Sequence, residues 1–351
     1  MKAAILYGKE DVRIEDLEPA ALKPGEIRVR IKAALTCGTD LKVFKRGYHA
    51  KMIVPPAVFG HELSGVIEEI SAMQSPQGNG TASPWAVGDR VVAANSAPCG
   101  DCFHCRQGQE NICDDLLFLN GAYAQSIVVP ERIVRKNLLR LQPDTAFADA
   151  ALIEPLACVV QGIEDALIRA GQRVLILGAG PIGLMFVALA KKLGCVVTVA
   201  GRRAVRLQAA ERLGADHVVD IKEGSNLVAK IRDAGAGQFD VVIEAVGAPA
   251  VWEAAVHLVR KGGTVNFFGG CPAGTTVTLD TSVIHYSNLT LLASFHHTPR
   301  TIRRALEFVE AGAVRAGDFV DGECPLSRLP QLFQGMAKGN HAVKTLIQVN
   351  Q

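Results

Sequence analysis

The segment RVLILGAGPIGL, residues 173–184, decides the fold of this chain. Its first five residues form a short apolar run typical of a buried strand, and an apolar helix pattern begins after the glycines. Gly178, Gly180 and Gly183 stand in G-x-G-x-x-G spacing between the two. The first glycine permits a tight turn, the second lets the backbone approach a pyrophosphate, and the third lets the helix pack against the strand. Three glycines alone often mark only a loop, but this strand–turn–helix context predicts a dinucleotide site.

The chain on both sides of this segment predicts two kinds of structure. From about residue 151 onward, strand and helix patterns alternate, which predicts a doubly wound parallel sheet with helices on both faces. The first 150 residues carry short apolar or alternating runs between glycine, proline and charged turns, a pattern typical of a β-rich region. Within them, SAMQSPQGNGTASPWAVG, residues 71–88, predicts an exposed loop. We therefore predict an α/β protein with a β-rich part and a doubly wound part.

The segment VTVAGRRAVRL, residues 197–207, bears on which dinucleotide binds. A site that prefers NAD usually carries an acidic residue about 20 positions after the glycines, where it accepts hydrogen bonds from the ribose hydroxyls. Here that position is Gly201, and Arg202 and Arg203 follow it. Two guanidinium groups can bind a 2′-phosphate, although two solvated arginines at the start of a surface helix would give the same sequence. The charge pattern therefore favours NADP over NAD.

Length, charge and hydropathy exclude several classes of protein. With 351 residues the chain exceeds the usual size of one hydrophobic core, so two domains are expected. The 37 basic and 35 acidic residues give a net charge of +2, which predicts no nucleic-acid partner and no polybasic membrane surface. No run of about 18 apolar residues and no secretory signal is present in the sequence, so a cytoplasmic location is expected.

The segment CGDCFHCRQGQENIC, residues 99–113, places four cysteines close together. Nine cysteines in 351 residues are too few for a disulfide scaffold, and clustered thiols in a reducing compartment more often bind metal or react. The spacing C-x2-C-x2-C-x7-C supplies four soft ligands, which close a tetrahedral shell around zinc and leave no position for a substrate. A redox thiol set or an iron–sulfur cluster fits less well. We therefore predict a structural zinc held by Cys99, Cys102, Cys105 and Cys113.

Candidate ligands for a second, reactive metal lie in three other segments. ALTCGTDLK contains Cys37 and Thr39, and VFGHELSG contains His61 and Glu62. ALIEPLACVVQG places Glu154 in an apolar run, where an unpaired carboxylate would be costly or would shift its pKa strongly. A lone cysteine is usually a small core residue and a lone glutamate is usually solvated, so each residue also has an ordinary explanation. A bound metal would explain the position of Glu154.

The motifs CGTD, GHE, the four-cysteine segment, EPLA and GAGPIG, in this order, resemble those of the zinc-dependent medium-chain dehydrogenases and reductases of the alcohol dehydrogenase superfamily. The chain is most similar to the sorbitol (polyol) and threonine dehydrogenase branch, over essentially its whole length. The resemblance implies a GroES-like catalytic domain with a structural zinc lobe over residues 1–152 and a Rossmann nucleotide-binding domain over residues 153–290. Residues 291–351 would return to the catalytic domain. Family members are dimers or tetramers, so a homo-dimer or homo-tetramer is expected.

The same resemblance assigns roles around the catalytic zinc. Cys37 and His61 match its ligands, and Glu62 and Glu154 match two acidic positions that bind the metal directly or through water. Thr39 matches the hydroxyl that passes a proton from the substrate toward solvent.

Four further residues bear on the same site. Asp40 is expected to brace the loop that carries Cys37. Lys42 stands where many polyol dehydrogenases have a histidine, which leaves the solvent end of the proton relay open. His296 and His297 either contact substrate hydroxyls or belong to a surface turn.

The resemblance also implies which residues contact the cofactor. Pro181 and Ile182 belong to the glycine turn, beside the phosphates. The nicotinamide is expected near residues that follow strands of the sheet, because ligands of such sheets bind at the carboxyl ends of the strands. These residues are Ala245, Val246, Gly247, Phe268, Gly269, Ser294 and Phe295.

Taken together, the sequence predicts a zinc-dependent enzyme that transfers a hydride between a secondary alcohol and NAD(P), with NADP favoured. The alcohol would be a polyol, sugar, cyclitol or amino-alcohol, and each chain would hold one catalytic and one structural zinc. One alternative is a zinc-free NADPH reductase or quinone oxidoreductase of the same superfamily. Such proteins lack both predicted zinc sites, so the sequence disfavours this alternative. The other is a non-catalytic zinc module that binds a partner through residues 99–113, whose acidic flanks would repel nucleic-acid phosphate.

Overall fold

The computed structural model describes residues 1–49, 51–71, 83–222, 224–234, 237–339 and 342–350. The chain divides into two compact units: unit 1 comprises Met1–Ala157 and His297–Gln351, and unit 2 comprises Cys158–His296. The domain limits predicted from the sequence, 152/153 and 290/291, lie close to these limits and stay a prediction. Most of the loop predicted at residues 71–88 lies outside the described residues. None of the helices in the described ranges has the length and apolar character that crossing a bilayer requires.

The N-terminal part of unit 1 is built from short strands, as its alternating pattern predicts. The strands are β1 (Lys2–Gly8), β2 (Asp11–Asp16), β3 (Ile27–Leu35), β4 (Ala57–Val58), β5 (Glu62–Ile70), β6 (Arg90–Ala93), β7 (Ser96–Ala97), β8 (Leu117–Phe118), β9 (Ser126–Val129) and β10 (Leu138–Arg140). The helices are α1 (Gly38–Arg46), α2 (Phe103–Arg106), α3 (Glu131–Asn137) and α4 (Phe147–Ala150). Helix α5 (Ile153–Asp165) contains the limit between the two units.

Unit 2 alternates strand and helix in the predicted way. Its strands are β11 (Arg173–Leu177), β12 (Val196–Gly201), β13 (His217–Asp220), β14 (Phe239–Glu244), β15 (Val259–Phe267) and β16 (Thr290–Ala293). Its helices are α6 (Pro181–Lys192), α7 (Ala204–Arg212), α8 (Leu227–Asp233), α9 (Pro249–Ala255) and α10 (Thr281–Tyr286). In the described residues the sheet has the order β13-β12-β11-β14-β15-β16 and every pair is parallel. This is the strand order 3-2-1-4-5-6 of dinucleotide-binding sheets, so the predicted α/β class is confirmed.

The C-terminal part of the chain completes unit 1. It contains α11 (Pro299–Glu310), β17 (Val320–Pro325), α12 (Leu329–Ala337) and β18 (Lys344–Gln348). Strand β18 pairs parallel with β17 and antiparallel with β3, which gives the sheet order β10-β6-β5-β3-β18-β17, with β9 beside β3. The two ends of the chain therefore share one sheet, and a residue of β18 can reach the loop that follows β3.

Aromatic side chains form the centre of unit 1. Phe44, Phe59, Tyr123 and Phe333 are fully buried, and their ring centroids lie 5.2–6.0 Å apart in the contacting pairs. Fully burying a side chain of this size contributes roughly 1.5–3 kcal/mol relative to leaving it exposed. Since Phe44 lies on α1 and Phe59 precedes β5, this cluster fixes two of the three segments that carry candidate ligands of the catalytic metal.

Candidate functional site

The ends of two neighbouring strands bring three predicted ligands together. Strands β3 and β5 are antiparallel, with Leu35 opposite Glu62, so the residues after β3 lie beside the start of β5. Cys37 caps the N-terminus of α1, where its Sγ accepts a hydrogen bond from the backbone N–H of Thr39 at 3.4 Å. His61 and Glu62 are buried at the start of β5. The ligand atoms of Cys37, His61 and Glu62 lie within 4.8 Å of one another.

Asp40 contacts the imidazole of His61. The Nδ1 atom of His61 lies 2.8 Å from Oδ1 of Asp40, and the Oη atom of Tyr123 donates to Oδ2 of Asp40 at 2.5 Å. Burial lowers the pKa of His61, but the carboxylate of Asp40 and the sulfur of Cys37 together outweigh burial and hold that pKa well above its usual value. Burial and the same carboxylate raise the pKa of the Tyr123 hydroxyl, which therefore stays a donor. Asp40 therefore contacts His61 directly, and its expected role in bracing the loop that carries Cys37 stays a prediction.

Glu62 forms a buried ion pair with Lys344, a contact that the sequence analysis does not predict. Its Oε2 atom accepts a hydrogen bond from the Nζ atom of Lys344 on β18, and the same Nζ atom donates to the backbone carbonyl of Thr36 at 3.0 Å. Both side chains are at most 2% exposed. The Oε1 atom of Glu62 is also buried and has no hydrogen-bond partner among the described residues. Burial raises the pKa of Glu62, while Lys344 and His61 lower it.

Glu154 is buried in the first turn of α5, as its apolar surroundings predict. Its Oε1 atom lies 3.8 Å from Nε2 of His297, which is itself 2.9 Å from Oδ1 of Asn95. His297 is 2% exposed, so it is not part of a surface turn. Burial raises the pKa of Glu154 to about 7, with His61 lowering it and Glu62 raising it. In the described residues, the group formed by Cys37, His61 and Glu62 does not include Glu154.

The four predicted cysteines of residues 99–113 converge on one point, and their ligand atoms lie within 4.8 Å of one another. The sulfur of Cys99 lies 3.4 Å from that of Cys113 and 3.9 Å from that of Cys105, without a disulfide among the four. Backbone N–H groups of Asp101 and Cys102 point at the sulfur of Cys99 and lower its pKa to about 6. Burial raises the pKa of Cys105 to about 12.

The glycine motif forms the turn between β11 and α6. Gly178 has φ 114°, in the left-handed region that favours glycine. A Cβ atom on Gly183 would lie 1.8 Å from the carbonyl oxygen of Gly178, so only glycine lets the helix start this close to the strand. Gly180 caps α6 and Pro181 occupies its first turn. The N-terminus of this helix, with Ile182 in its first turn, is suited to bind a pyrophosphate.

The end of β12 has no room for an acidic side chain. A Cβ atom on Gly201 would lie 2.6 Å from the Cβ atom of Ala179 in the glycine turn, so a larger residue would require the turn to move. Arg202 and Arg203 follow and are exposed, and Arg203 caps α7 with φ 76°. The predicted arginine pair therefore lies beside the glycine turn, on the solvent side.

Glu244 shapes the loop that is expected to hold the nicotinamide, and sequence reasoning missed it. Its Oε1 atom accepts hydrogen bonds from the backbone N–H groups of Val246 and Gly247, each at 2.9 Å, directly after Ala245. Gly269 lies so close that a Cβ atom there would be 2.4 Å from the nitrogen of Gly247. The carboxylate of Glu244 therefore fixes the backbone of this loop through two hydrogen bonds.

The other residues expected near the nicotinamide follow β15 and β16. The ring of Phe268 meets that of Phe186 edge-on, with centroids 5.0 Å apart. The hydroxyl of Ser294 donates to Asp165 at 2.7 Å and accepts from the side-chain amide of Asn266 at 2.9 Å. Phe295 is 61% exposed. The contacts of these residues with a cofactor stay predictions.

Comparison with known proteins identifies the family. The model "Alcohol dehydrogenase GroES-like domain" matches residues 23–138, and the model "Zinc-binding dehydrogenase" matches residues 181–311. D-altritol 5-dehydrogenase of Agrobacterium fabrum is 34% identical over 329 residues, with 91% of each chain covered. Erythritol/L-threitol dehydrogenase of Mycolicibacterium smegmatis is 30% identical over 366 residues, with 98% of this chain and 96% of the relative covered. The chain belongs to the zinc-type medium-chain alcohol dehydrogenases.

A solved structure agrees with this membership. The zinc-binding dehydrogenase of Sinorhizobium meliloti 1021, bound to NADP, is 28% identical, has a TM-score of 0.87 and covers 99% of this chain and 98% of its own. The family, the fold class and the assignment as an oxidoreductase that uses zinc and NAD(P) are therefore confirmed. A non-catalytic zinc module is excluded.

The candidate ligands of this zinc-type dehydrogenase suit a zinc ion. Zinc binds thiolate, imidazole and carboxylate groups, and a catalytic site keeps three protein ligands and one open position. A zinc ion would give a partner to the Oε1 atom of Glu62, which has none among the described residues. Its charge would also add to that of Lys344 in balancing the buried carboxylates of Asp40, Glu62 and Glu154. Because Asp40 occupies Nδ1 of His61, Nε2 is the nitrogen left for the metal.

The four-cysteine lobe of the dehydrogenase suits a second, structural zinc. Four thiols at these distances cannot all ionise without a shared cation, since each thiolate would repel the others. Residues 99–113, which form this lobe and are all described in the structure, contain as regular structure only the four residues of α2 and a 3-10 turn at Glu110–Ile112. Metal binding would therefore supply much of its folding free energy.

Proposed function

We propose that this dehydrogenase oxidises a secondary alcohol within a polyol, sugar, cyclitol or amino-alcohol, prefers NADP to NAD, and catalyses the reverse reduction of the ketone. The observation that carries the proposal is the convergence of Cys37 with the buried side chains of His61 and Glu62, and the contact of Asp40 with His61. Support for the substrate class comes from the similarity to the D-altritol and erythritol/L-threitol dehydrogenases.

In the proposed mechanism, Cys37, His61 and one carboxylate would hold the catalytic zinc. The unpartnered Oε1 of Glu62 among the described residues favours Glu62 as the direct ligand, and Glu154 would be the second carboxylate, in exchange with it. When bound, zinc would supply a Lewis acid that makes an alcohol proton acidic near neutral pH, and the dinucleotide would supply the hydride acceptor. Oxidation thus removes one proton and one hydride from the carbinol.

The chain's own side chains control the proton and the ligand geometry. Thr39 lies in the first turn of α1 beside Cys37 and is partly exposed, so its hydroxyl can receive the substrate proton and pass it to solvent. Lys42, one turn further along the helix, is exposed and carries no lone pair when protonated, so water is the next acceptor. Asp40 keeps the proton on Nδ1 of His61.

The substrate class is tested by a screen of polyols, keto sugars, simple secondary alcohols and primary alcohols with both dinucleotides. The reaction is followed by the absorbance of the reduced nicotinamide. We expect the largest kcat/KM for a secondary alcohol flanked by hydroxyls, by at least about tenfold over a primary alcohol of similar size. A primary alcohol that matches or exceeds every polyol would contradict the proposal.

The cofactor preference is tested by replacing Arg202 and Arg203 with alanine. Each charge-assisted hydrogen bond to a phosphate contributes roughly 1.5–3 kcal/mol, so we expect KM for NADPH to rise about 10- to 100-fold. KM for NADH should change little, because NADH lacks the 2′-phosphate. Arg212→Ala, an exposed arginine at the far end of α7, is the matched control and should leave both constants unchanged. An equal rise in KM for NADPH and NADH would mean that Arg202 and Arg203 are ordinary surface residues without a role in cofactor preference.

We also propose a cytoplasmic location and a homo-dimer or homo-tetramer. The reduced thiols of the four-cysteine lobe suit a reducing compartment. The assembly is tested by light scattering during size-exclusion chromatography of the purified protein, and a monomer at micromolar concentration would contradict it.

A further inference from the structure

We propose that Tyr123 is a positioning residue for the catalytic zinc. Its hydroxyl fixes the carboxylate of Asp40, which holds His61 in the tautomer and orientation that leave Nε2 for the metal. The inference rests on the proposed role of His61 as a zinc ligand.

The hydroxyl of Tyr123 has two acceptors within hydrogen-bond distance and a single proton to donate. The Oη atom lies 2.5 Å from Oδ2 of Asp40 and 3.1 Å from the backbone carbonyl of Leu35. Both of these atoms only accept, and a phenol has a single proton to donate, so the nearer carboxylate receives it. The other oxygen of Asp40 then accepts from Nδ1 of His61. Each oxygen of the carboxylate therefore has its own donor, and the carboxylate cannot rotate without losing one.

Burial makes this chain of hydrogen bonds hard to replace with water. Tyr123 is 0% exposed, Asp40 2% and His61 3%. A buried polar atom that loses its partner costs about 1–3 kcal/mol, and more when it is charged. Without the hydroxyl of Tyr123, the Asp40 carboxylate would have to turn so that Oδ2 finds another donor. The imidazole of His61, which is held by Oδ1, would move with the carboxylate.

The ring of Tyr123 is fixed by the segment that leads into His61. Gly60 has φ 88°, and a Cβ atom there would lie 2.6–2.8 Å from three atoms of the Tyr123 ring. The backbone N–H of Tyr123 donates to the carbonyl oxygen of Phe59 at 2.9 Å, and the two rings meet edge-on at 5.6 Å. The glycine before the histidine therefore admits the tyrosine ring, so the hydroxyl and the ligand occupy fixed positions relative to each other.

The first experiment compares Tyr123→Phe with the parent chain and with Tyr7→Phe, in zinc-loaded protein. Tyr7 is the matched control because its hydroxyl also donates to a carboxylate, that of Glu15 at 2.8 Å, but on the surface. Zinc transfer to a colorimetric chelator measures affinity at both sites, and the visible absorption of the cobalt(II)-substituted protein reports ligand geometry. We expect Tyr123→Phe to weaken one of the two zinc sites about 10- to 100-fold and to shift the cobalt spectrum, with Tyr7→Phe unchanged. An unaltered affinity and spectrum in folded Tyr123→Phe would overturn the inference.

The second experiment is a double-mutant cycle with Asp40→Asn. Because Tyr123 acts through Asp40, adding Tyr123→Phe to Asp40→Asn should cause no further loss of zinc affinity. Fully additive losses would overturn the inference. If Tyr123→Phe fails to fold, Asp40→Asn alone must show the weakened zinc site and the shifted cobalt spectrum. An Asp40→Asn variant with unaltered zinc affinity and spectrum would also overturn the inference.

A His61→Ala variant separates failure of the proposed function from failure of this inference. If His61→Ala retains both zinc ions, the proposed function fails. If His61→Ala loses one zinc ion but Tyr123→Phe is unaltered, only the proposed role of Tyr123 fails.

Discussion

Replacing Cys37 with alanine is expected to lower kcat by a factor on the order of 10³ or more while the chain stays folded. Cys37 supplies the thiolate of the candidate catalytic site, and two ligands would not hold a zinc ion in place. The cost to the fold is small, since the side chain is only partly buried and its loss removes one weak cap contact with the N–H of Thr39. Steady-state kinetics measure turnover, and metal analysis should show the loss of one of two zinc ions.

The matched control for this variant is Cys324→Ala. Cys324 is a buried thiol in the same unit, and its sulfur lies 3.4 Å from the carbonyl oxygen of Pro325, outside both sulfur-containing groups. We expect this variant to keep its turnover and both zinc ions while losing some thermal stability from the small cavity. If Cys37→Ala remained fully active with an unchanged zinc content, the assignment of Cys37 as a ligand would be withdrawn.

The parts of the fold that the sequence predicts are those in which apolar residues recur with a clear strand or helix period. The glycine turn and the five strands β11 to β15 read directly as buried apolar runs between helical patterns. Strands β16 and β17 do not stand out in the same way. Strand β16 has only four residues, and β17, VDGECP, contains a glycine and a proline that weaken its strand signal. Their position comes from pairing with strands already in place.

In the candidate site too, local features can be predicted from the sequence, whereas contacts between distant segments cannot. The apolar run around Glu154 correctly indicates a buried carboxylate whose pKa is raised, because burial is a local property of that helix. Lys344 could not be found like this, since its partner Glu62 lies in a strand far away in the sequence. The roles of Asp40 and Tyr123 also depend on contacts between distant segments. Spacing rules identify the type of a ligand, whereas the group that orients it is set by tertiary packing.

Replacing Cys105 with alanine is expected to lower the melting temperature by about 10 °C or more and to leave a single zinc ion per chain. The lobe of residues 99–113 has one four-residue helix and one short 3-10 turn, and three of its cysteines are only partly buried, so apolar packing cannot replace the metal. Three remaining thiols would leave the tetrahedral shell of a structural zinc incomplete and would hold the ion weakly. Calorimetry and metal analysis measure the two effects.

Arg106→Ala is the control for Cys105→Ala, because it changes the neighbouring exposed residue and keeps all four sulfur ligands. It should retain two zinc ions and the parent melting temperature within about 1–2 °C. The two cysteine variants also separate the two metals. Cys37→Ala should lose turnover without a large loss of stability, and Cys105→Ala should lose stability while freshly purified protein still turns over at low temperature. A melting curve for Cys105→Ala that matches the parent, despite the loss of one zinc, would mean that this ion does not stabilise the lobe.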